Sequence, residues 1–235
     1  SSPDSHESHI KWLSARAESI GIARPRAIAR GGFMNYSAIK YFDIANGEGV
    51  RTSLFVSGCR RHCPYCFNGE AWRFDAGEPF DEAVQAKVIE SLGAAFCDGL
   101  TILGGEPMEP ENQEGLVEFV ERVKREVPNK AIWCFTGDTL DELEPGGPHF
   151  TEFTNRLLDC VDVLVDGPFE NDLHDITLRF RGSSNQRVID MNATREAARA
   201  AGVKPSQAVA LWQDEEVYAT HSMKRDDVPE YFQHG

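Results

Sequence analysis

Four short apolar runs after residue 50 set the limits on how this chain can fold: residues 52–57 (TSLFVS), 100–103, 131–135 (AIWCF) and 161–165 (VDVLV). The first runs into Cys59, the second into Gly104-Gly105, the third into Thr136-Gly137 and the fourth into Asp166-Gly167. Between them lie stretches of a different period. Residues 80–96 repeat apolar side chains at Val84, Val88, Leu92 and Phe96, and Leu116, Phe119, Val120, Val123 and Val127 mark a second helical face. A third helix is expected over 151–159. Strands that alternate with helices predict βαβ units and a parallel sheet, an α/β fold. Open α/β sheets and α/β barrels place their chemistry just past the carboxyl ends of the strands, and all four turns fall there.

The first turn carries the densest chemistry. SGCRRHCPYCFNGEAW, residues 57–72, holds Cys59, Cys63 and Cys66 in a C-x3-C-x2-C array, with Tyr65 just before the last. Three cysteines are one short of the four protein ligands of a structural zinc site or an ordinary electron-transfer cluster. In a zinc reading the fourth ligand is a histidine. His62 is nearest, but it adjoins Cys63, and adjacent side chains diverge too far to grip one tetrahedral ion comfortably. In an iron–sulfur reading each thiolate binds one iron of a [4Fe–4S] cube, and the open fourth iron takes a small chelating ligand. A zinc-stabilised binding module and a simple electron carrier are the rivals from other classes. Cys97, Cys134 and Cys160 read as buried inert thiols, and Trp72 and Trp133 as core.

Composition narrows the setting. At 235 residues the chain suits one large or two small domains. No stretch approaches the roughly 18 apolar residues of a membrane span, and no apolar signal-peptide core opens the chain. The six cysteines therefore read as thiols or metal ligands in a reducing cytoplasm, not as a disulfide framework. A net charge of −14 argues against nucleic-acid binding, because a phosphate backbone is held by Lys and Arg. Residues 137–176 hold eleven Asp or Glu against one Arg, which reads as a solvated face or as an acidic docking surface for a basic partner. Residues 1–33 differ from the rest, with Ile10, Leu13, Ala17 and Ile20 at helical spacing among basic residues. They are expected to form an N-terminal extension, flexible or partly helical, with Met34 opening the functional domain.

Gly104-Gly105-Glu106-Pro107 (GGEP) closes the second run, where glycines let backbone approach a ligand closely. One βα unit after the cysteine array, this motif resembles the radical S-adenosylmethionine superfamily. A longer series covers residues 34–190: MNYSAIKYFDIANGEGVRTSLFVSGC, CFNGEAW, GGEP, IWCFTG, VLVDGPF and RFRGSSNQRVID. It is similar to the glycyl radical enzyme activases, in particular those that act on anaerobic ribonucleoside-triphosphate reductase.

The resemblance implies a partial, open (β/α) barrel of the radical SAM type with parallel strands over 34–190. Residues 191–235 form a C-terminal tail without a match. It implies one [4Fe–4S] cluster on Cys59, Cys63 and Cys66, with S-adenosylmethionine as the chelating ligand of the open iron. It assigns cofactor contacts to Tyr65, Cys66 and Phe67 beside the cluster, and to Gly104, Gly105 and Glu106 at the methionine end. Asp166 and Arg181 are further contacts, with loop capping the alternative for Asp166. No catalytic side chain beyond the cluster and cofactor is implied. The implied reaction is reductive cleavage of S-adenosylmethionine, whose 5′-deoxyadenosyl radical takes hydrogen from a glycine on the reductase large subunit. Another glycyl radical enzyme, or a small-molecule substrate, is the alternative. Flavodoxin or ferredoxin is the implied electron donor, and neither nucleic acid nor membrane takes part. Two positions depart from the family pattern. Asp138 stands where an aromatic is expected, and Pro168 replaces a lysine that could pair with the methionine carboxylate.

Overall fold

Among the described residues the chain after Met34 builds seven strands: β1 (Asn35–Asp43), β2 (Arg51–Val56), β3 (Glu78–Pro79), β4 (Gly99–Gly104), β5 (Ala131–Phe135), β6 (Val163–Asp166) and β7 (Arg187–Asp190). This computed structural model describes residues 34–66 and 68–212. Phe67, the expected helical face in 1–33 and the tail after 212 lie outside the described residues. The strands form one open sheet in the order β3-β1-β2-β4-β5-β6-β7. The four apolar runs are its parallel centre. Val56 stands opposite Gly104, Ile102 opposite Cys134 and Phe135 opposite Val165, so the carboxyl ends of β2, β4, β5 and β6 come together.

The expectation of parallel strands holds only for that centre. β1 and β3 are antiparallel at one edge and β7 is antiparallel at the other. No α-helix intervenes between β1 and β2 or between β6 and β7, where only a single 3-10 turn (Asn171–Leu173) lies, and without a helical crossover these neighbouring strands pair antiparallel. The sheet is open, and no closed barrel is formed.

Four α-helices are found among the described residues: α1 (Glu82–Leu92), α2 (Pro110–Glu126), α3 (Thr154–Cys160) and α4 (Met191–Ala201). α1 opens at Asp81, whose carboxylate accepts the Val84 N–H at 2.9 Å, the side-chain cap that a helix start calls for. It stops at Gly93, so Phe96, expected on its apolar face, stands 60 % exposed beyond it. Side chains alternate across the pleat. Leu54, Val56, Ile102, Ile132, Cys134 and Leu164 point into the helix layer, where Leu92, Leu116, Phe119, Val120 and Leu157 join them in one core. On the other face Trp133, Val163 and Val165 form a second cluster with Phe135, Phe180, Val188 and Trp212.

Arg51 lies buried on that second face. Its Nε donates to Thr101 Oγ1 at 2.7 Å and its Nη2 to the Leu100 and Ala131 carbonyls at 2.8 and 2.7 Å. Burial pulls its guanidinium down to about 10, which leaves it charged at neutral pH.

The packed structure continues past residue 190. α4 is capped by Asp190, which accepts the Ala193 N–H, and ends at the left-handed Gly202. Met191 and Ala198 are buried beneath it. No helix among the described residues is long and apolar enough to cross a membrane.

Candidate active site

The turn after β2 is shaped by its own backbone. Gly58 and Cys59 donate their N–H groups to the Ala71 and Trp72 carbonyls at 2.7 and 3.0 Å, which closes the cysteine loop at its base. His62 and Tyr65 are left-handed, with φ of 48° and 62°, and the Cys66 N–H bonds the Cys63 carbonyl. The His62 ring stacks on Trp72 with centroids 4.4 Å apart. Trp72, read as core from the sequence, is instead half-buried and lines the same cavity as the cysteines.

That cavity, of about 660 Å³, lies at the carboxyl ends of the central strands. Its size suits a nucleoside-sized molecule. Cys59, Cys63 and Cys66 line it with free thiols, and Gly104, Gly105, Glu106, Tyr65 and Arg181 line it as well. Tyr65 is 81 % exposed. Burial pushes the Cys59 thiol up. The Cys63 thiol is pushed up by burial and drawn back by the Arg61 guanidinium. Among the described residues no three His, Cys, Asp or Glu side chains converge as a single metal ion requires. The donor set, three free thiols on one cavity, fits a cluster that takes one thiolate per iron.

The GGEP turn is locked to the cysteine loop. Gly105 donates to the Val56 carbonyl at 2.7 Å and Glu106 to the Gly58 carbonyl at 2.9 Å. A β-carbon on Gly105 would stand 2.5 Å from that Gly58 oxygen, so glycine is demanded by the neighbouring loop even without a ligand. Gly104 adds a φ of 111°, in the region that favours glycine. Glu106 is buried and turned away from solvent. It accepts from Thr136 Oγ1 at 2.7 Å, the Gly137 N–H at 2.8 Å and the Met108 N–H at 3.0 Å. Burial and then the Asp138 carboxylate push Glu106 above the ordinary glutamate range, against those three donors.

Sequence reading missed the group that joins the first and third turns. Arg61 reaches from the cysteine loop to pair with Asp138, and its Nε lies 3.3 Å from Glu106 Oε2. Asp138 also meets His149 Nδ1 at 2.7 Å. The clue was Asp138 itself, the acidic residue in place of an aromatic, beside a cysteine loop with two consecutive arginines.

Asp166 and Arg181 part company. The Asp166 carboxylate is buried, accepts the Leu140 N–H at 2.8 Å and pairs with Arg187, and it is not among the residues that line the cavity. Its geometry is that of the loop-capping alternative. Arg181 lines the cavity while its Nη1 donates to the Gln186 carbonyl at 2.9 Å. Gln186, from the same RGSSNQ segment, lines it as well.

Residues 45–189 match the family model of a 4Fe-4S single cluster domain. Relatives of this chain carry the name anaerobic ribonucleoside-triphosphate reductase-activating protein. That of Pasteurella multocida is 44% identical over 157 residues, 66% of this chain and 96% of the relative. Those of Haemophilus influenzae and Escherichia coli K12 are 43% and 41% identical over the same length, covering 97% of each. With a family model over most of the described chain, and with relatives matched nearly end to end, this chain belongs to the anaerobic ribonucleoside-triphosphate reductase-activating protein family.

Proposed function

We propose that this chain is an activase. In this reading it holds a [4Fe–4S] cluster and S-adenosylmethionine at the strand ends and installs a glycyl radical on the large subunit of an anaerobic ribonucleoside-triphosphate reductase. The observation that carries the reading is the meeting of three free cysteines with GGEP and Arg181 on one cavity, in a chain of this family. Bound together, the cluster and S-adenosylmethionine supply the one-electron chemistry that protein side chains lack.

The chain's part is to bind, orient and exclude water. Cys59, Cys63 and Cys66 provide three thiolates for four irons. They must shed their protons to do so, and Arg61 favours this at Cys63 against the cost of burial. The Gly105 and Glu106 amides are spent within the fold, so neither N–H is left for a ligand, and this wall contributes shape at the methionine end. Arg181 is a cation on the same cavity, and Tyr65 and Phe67 flank the last cysteine. Asp166 is left out, committed to Leu140 and Arg187.

The open sheet corresponds in this reading to a partial (β/α) barrel of the radical SAM type. Its helices cover one face and leave the other for the cofactor and the glycine-bearing loop of the partner. Residues 34–190 form the activase domain. Flavodoxin or ferredoxin, in the cytoplasm, delivers the electron.

The test is anaerobic reconstitution with iron and sulfide, then electron paramagnetic resonance of the reduced protein with and without S-adenosylmethionine. The cluster signal should change shape when S-adenosylmethionine is added. A spectrum indifferent to it would leave only an electron carrier, and a colourless protein holding zinc would leave the binding module.

A further inference from the structure

The matched family region ends at residue 189, yet the chain's packed structure does not. After α4 a short 3-10 turn, Pro205–Gln207, leads to a segment laid along the outer edge of β7. Asp190 donates to the Ala210 carbonyl at 2.9 Å, Trp212 donates to the Val188 carbonyl at 2.9 Å, and Leu211 bridges Ile189. The turn is anchored from a second side. Glu144 accepts the Ser206 N–H at 2.9 Å and its hydroxyl at 2.8 Å.

What this segment delivers is the Trp212 ring. It meets Trp133 edge-on with centroids 5.1 Å apart and Phe180 at 5.8 Å, while Trp133 and Phe180 meet at 5.0 Å. The three rings form a closed triangle of tilted contacts, the geometry aromatic pairs prefer. The Arg179 guanidinium stacks over Phe180 at 4.3 Å and over Trp212 at 5.9 Å. Phe180 needs such a cage. It is one of the few non-glycine residues with positive φ, at 57°, and a bulky side chain holds that conformation only where its surroundings fix it. Phe180 and the next residue, Arg181, both line the cavity. Trp212 does not line it and can act only through them.

We infer that residues 205–212 are an added brace behind the active site, in which Trp212 is a positioning residue that holds the strained Phe180 turn and thereby sets Arg181 on the cavity. The role of Arg181 toward the cofactor rests on the proposed activase function, whereas the holding of the turn does not.

The experiment uses the full chain as wild type, Trp212→Ala, Trp212→Phe, Phe180→Ala and the double alanine variant. Hydrogen–deuterium exchange at the amides of 180–186, in protein without cluster or S-adenosylmethionine, reads the turn itself. Trp212→Ala should speed exchange there about tenfold, with Trp212→Phe restoring most of the protection and the double variant no worse than the worse single, as for residues acting through one contact. After reconstitution, Trp212→Ala should keep the wild-type iron content and bind S-adenosylmethionine about tenfold more weakly, by titration of the cluster signal. Unchanged exchange at 180–186 in Trp212→Ala overturns the inference. So does a rise spread evenly over β6, β7 and α4 that Trp212→Phe fails to rescue, since that is loss of packing alone. If Trp212→Ala does not fold, Phe180→Ala reads the same contact from the other side, with the same two outcomes. A wild type that ignores S-adenosylmethionine removes the activase reading, while the exchange arm still decides whether Trp212 holds the turn.

Discussion

Cys63 and Cys134 are the same side chain in opposite settings. Cys63 lines the cavity, with Arg61 drawing its thiol back from the effect of burial. Cys134 is 1% exposed on the helix side of β5, where burial pushes its thiol far up and leaves it unreactive at neutral pH. Cys63→Ala should lose the cluster and all cleavage of S-adenosylmethionine. Cys134→Ala should retain iron and lose about 1–3 kcal/mol in urea unfolding, as buried truncations do. Iron assays on the two variants decide between them. At Gly105 the structure changes the expected outcome. The sequence suggests a collision with bound cofactor alone, which would spare the iron, but the Gly58 carbonyl is the first atom a new side chain meets. Gly105→Val should therefore displace the cysteine loop and lower iron content as well as cofactor binding. Full iron occupancy in that variant would return the glycine to a purely ligand-facing role. The cysteine array was legible because its spacing is local. Arg51 and the Arg61–Asp138 pair were not, since their partners lie 50 and 77 positions away along the chain.

Elements explain the acidic run differently from composition. Of its carboxylates, Asp138, Glu144 and Asp166 are buried and hydrogen-bonded, and Glu142 accepts from the Thr139 N–H and hydroxyl. They hold the turns after β5 and β6, so the run is only partly a solvated face. Reversing Asp141, Glu142 and Glu144 together would thus confuse docking with unfolding. Glu144→Ala alone should cost about 1.5–3 kcal/mol, as for lost hydrogen bonds to a charged group, whereas exposed Asp141→Lys should stay within about 0.5 kcal/mol. Comparable urea midpoints for the two would contradict the anchoring of residue 206.

The loop that brings Ala45 and Asn46 to the cavity is tied down by Asp43. Burial would raise this carboxyl, but donors on Ser53, Asn46 and Ala45 outweigh it and hold Asp43 below its ordinary 3.8. The unfolded chain takes up the proton first as pH falls. The stability advantage over Asp43→Asn should be complete above pH 3.8 and disappear as pH drops through the lowered value. A gap in thermal midpoint that persists at the acid end would refute the ionised tie. The parallel centre of the sheet was readable because continuous apolar runs demand burial on both faces. β1 and β7 were not, because edge strands carry mixed, half-exposed side chains.

At the scale of the whole molecule, one face of the sheet is spent on helices and the other holds the cavity, with all four strand-end turns gathered at one end. That division leaves the cavity on the face the helices do not cover, where the strand-end turns meet. The sequence reading located the functional end but stopped the fold at residue 190, because α4 and the Trp212 segment belong to no matched pattern and are recognised only by what they cover. The most direct measurement of the central claim mixes this protein anaerobically with a strong reductant, S-adenosylmethionine and its cognate anaerobic ribonucleoside-triphosphate reductase, followed by electron paramagnetic resonance of the reductase large subunit. A glycyl radical signal should appear, be absent with Cys63→Ala, and vanish when the radical-bearing glycine of the partner is changed to alanine. No signal on that reductase, but one on a different glycyl radical enzyme under the same conditions, would contradict the account.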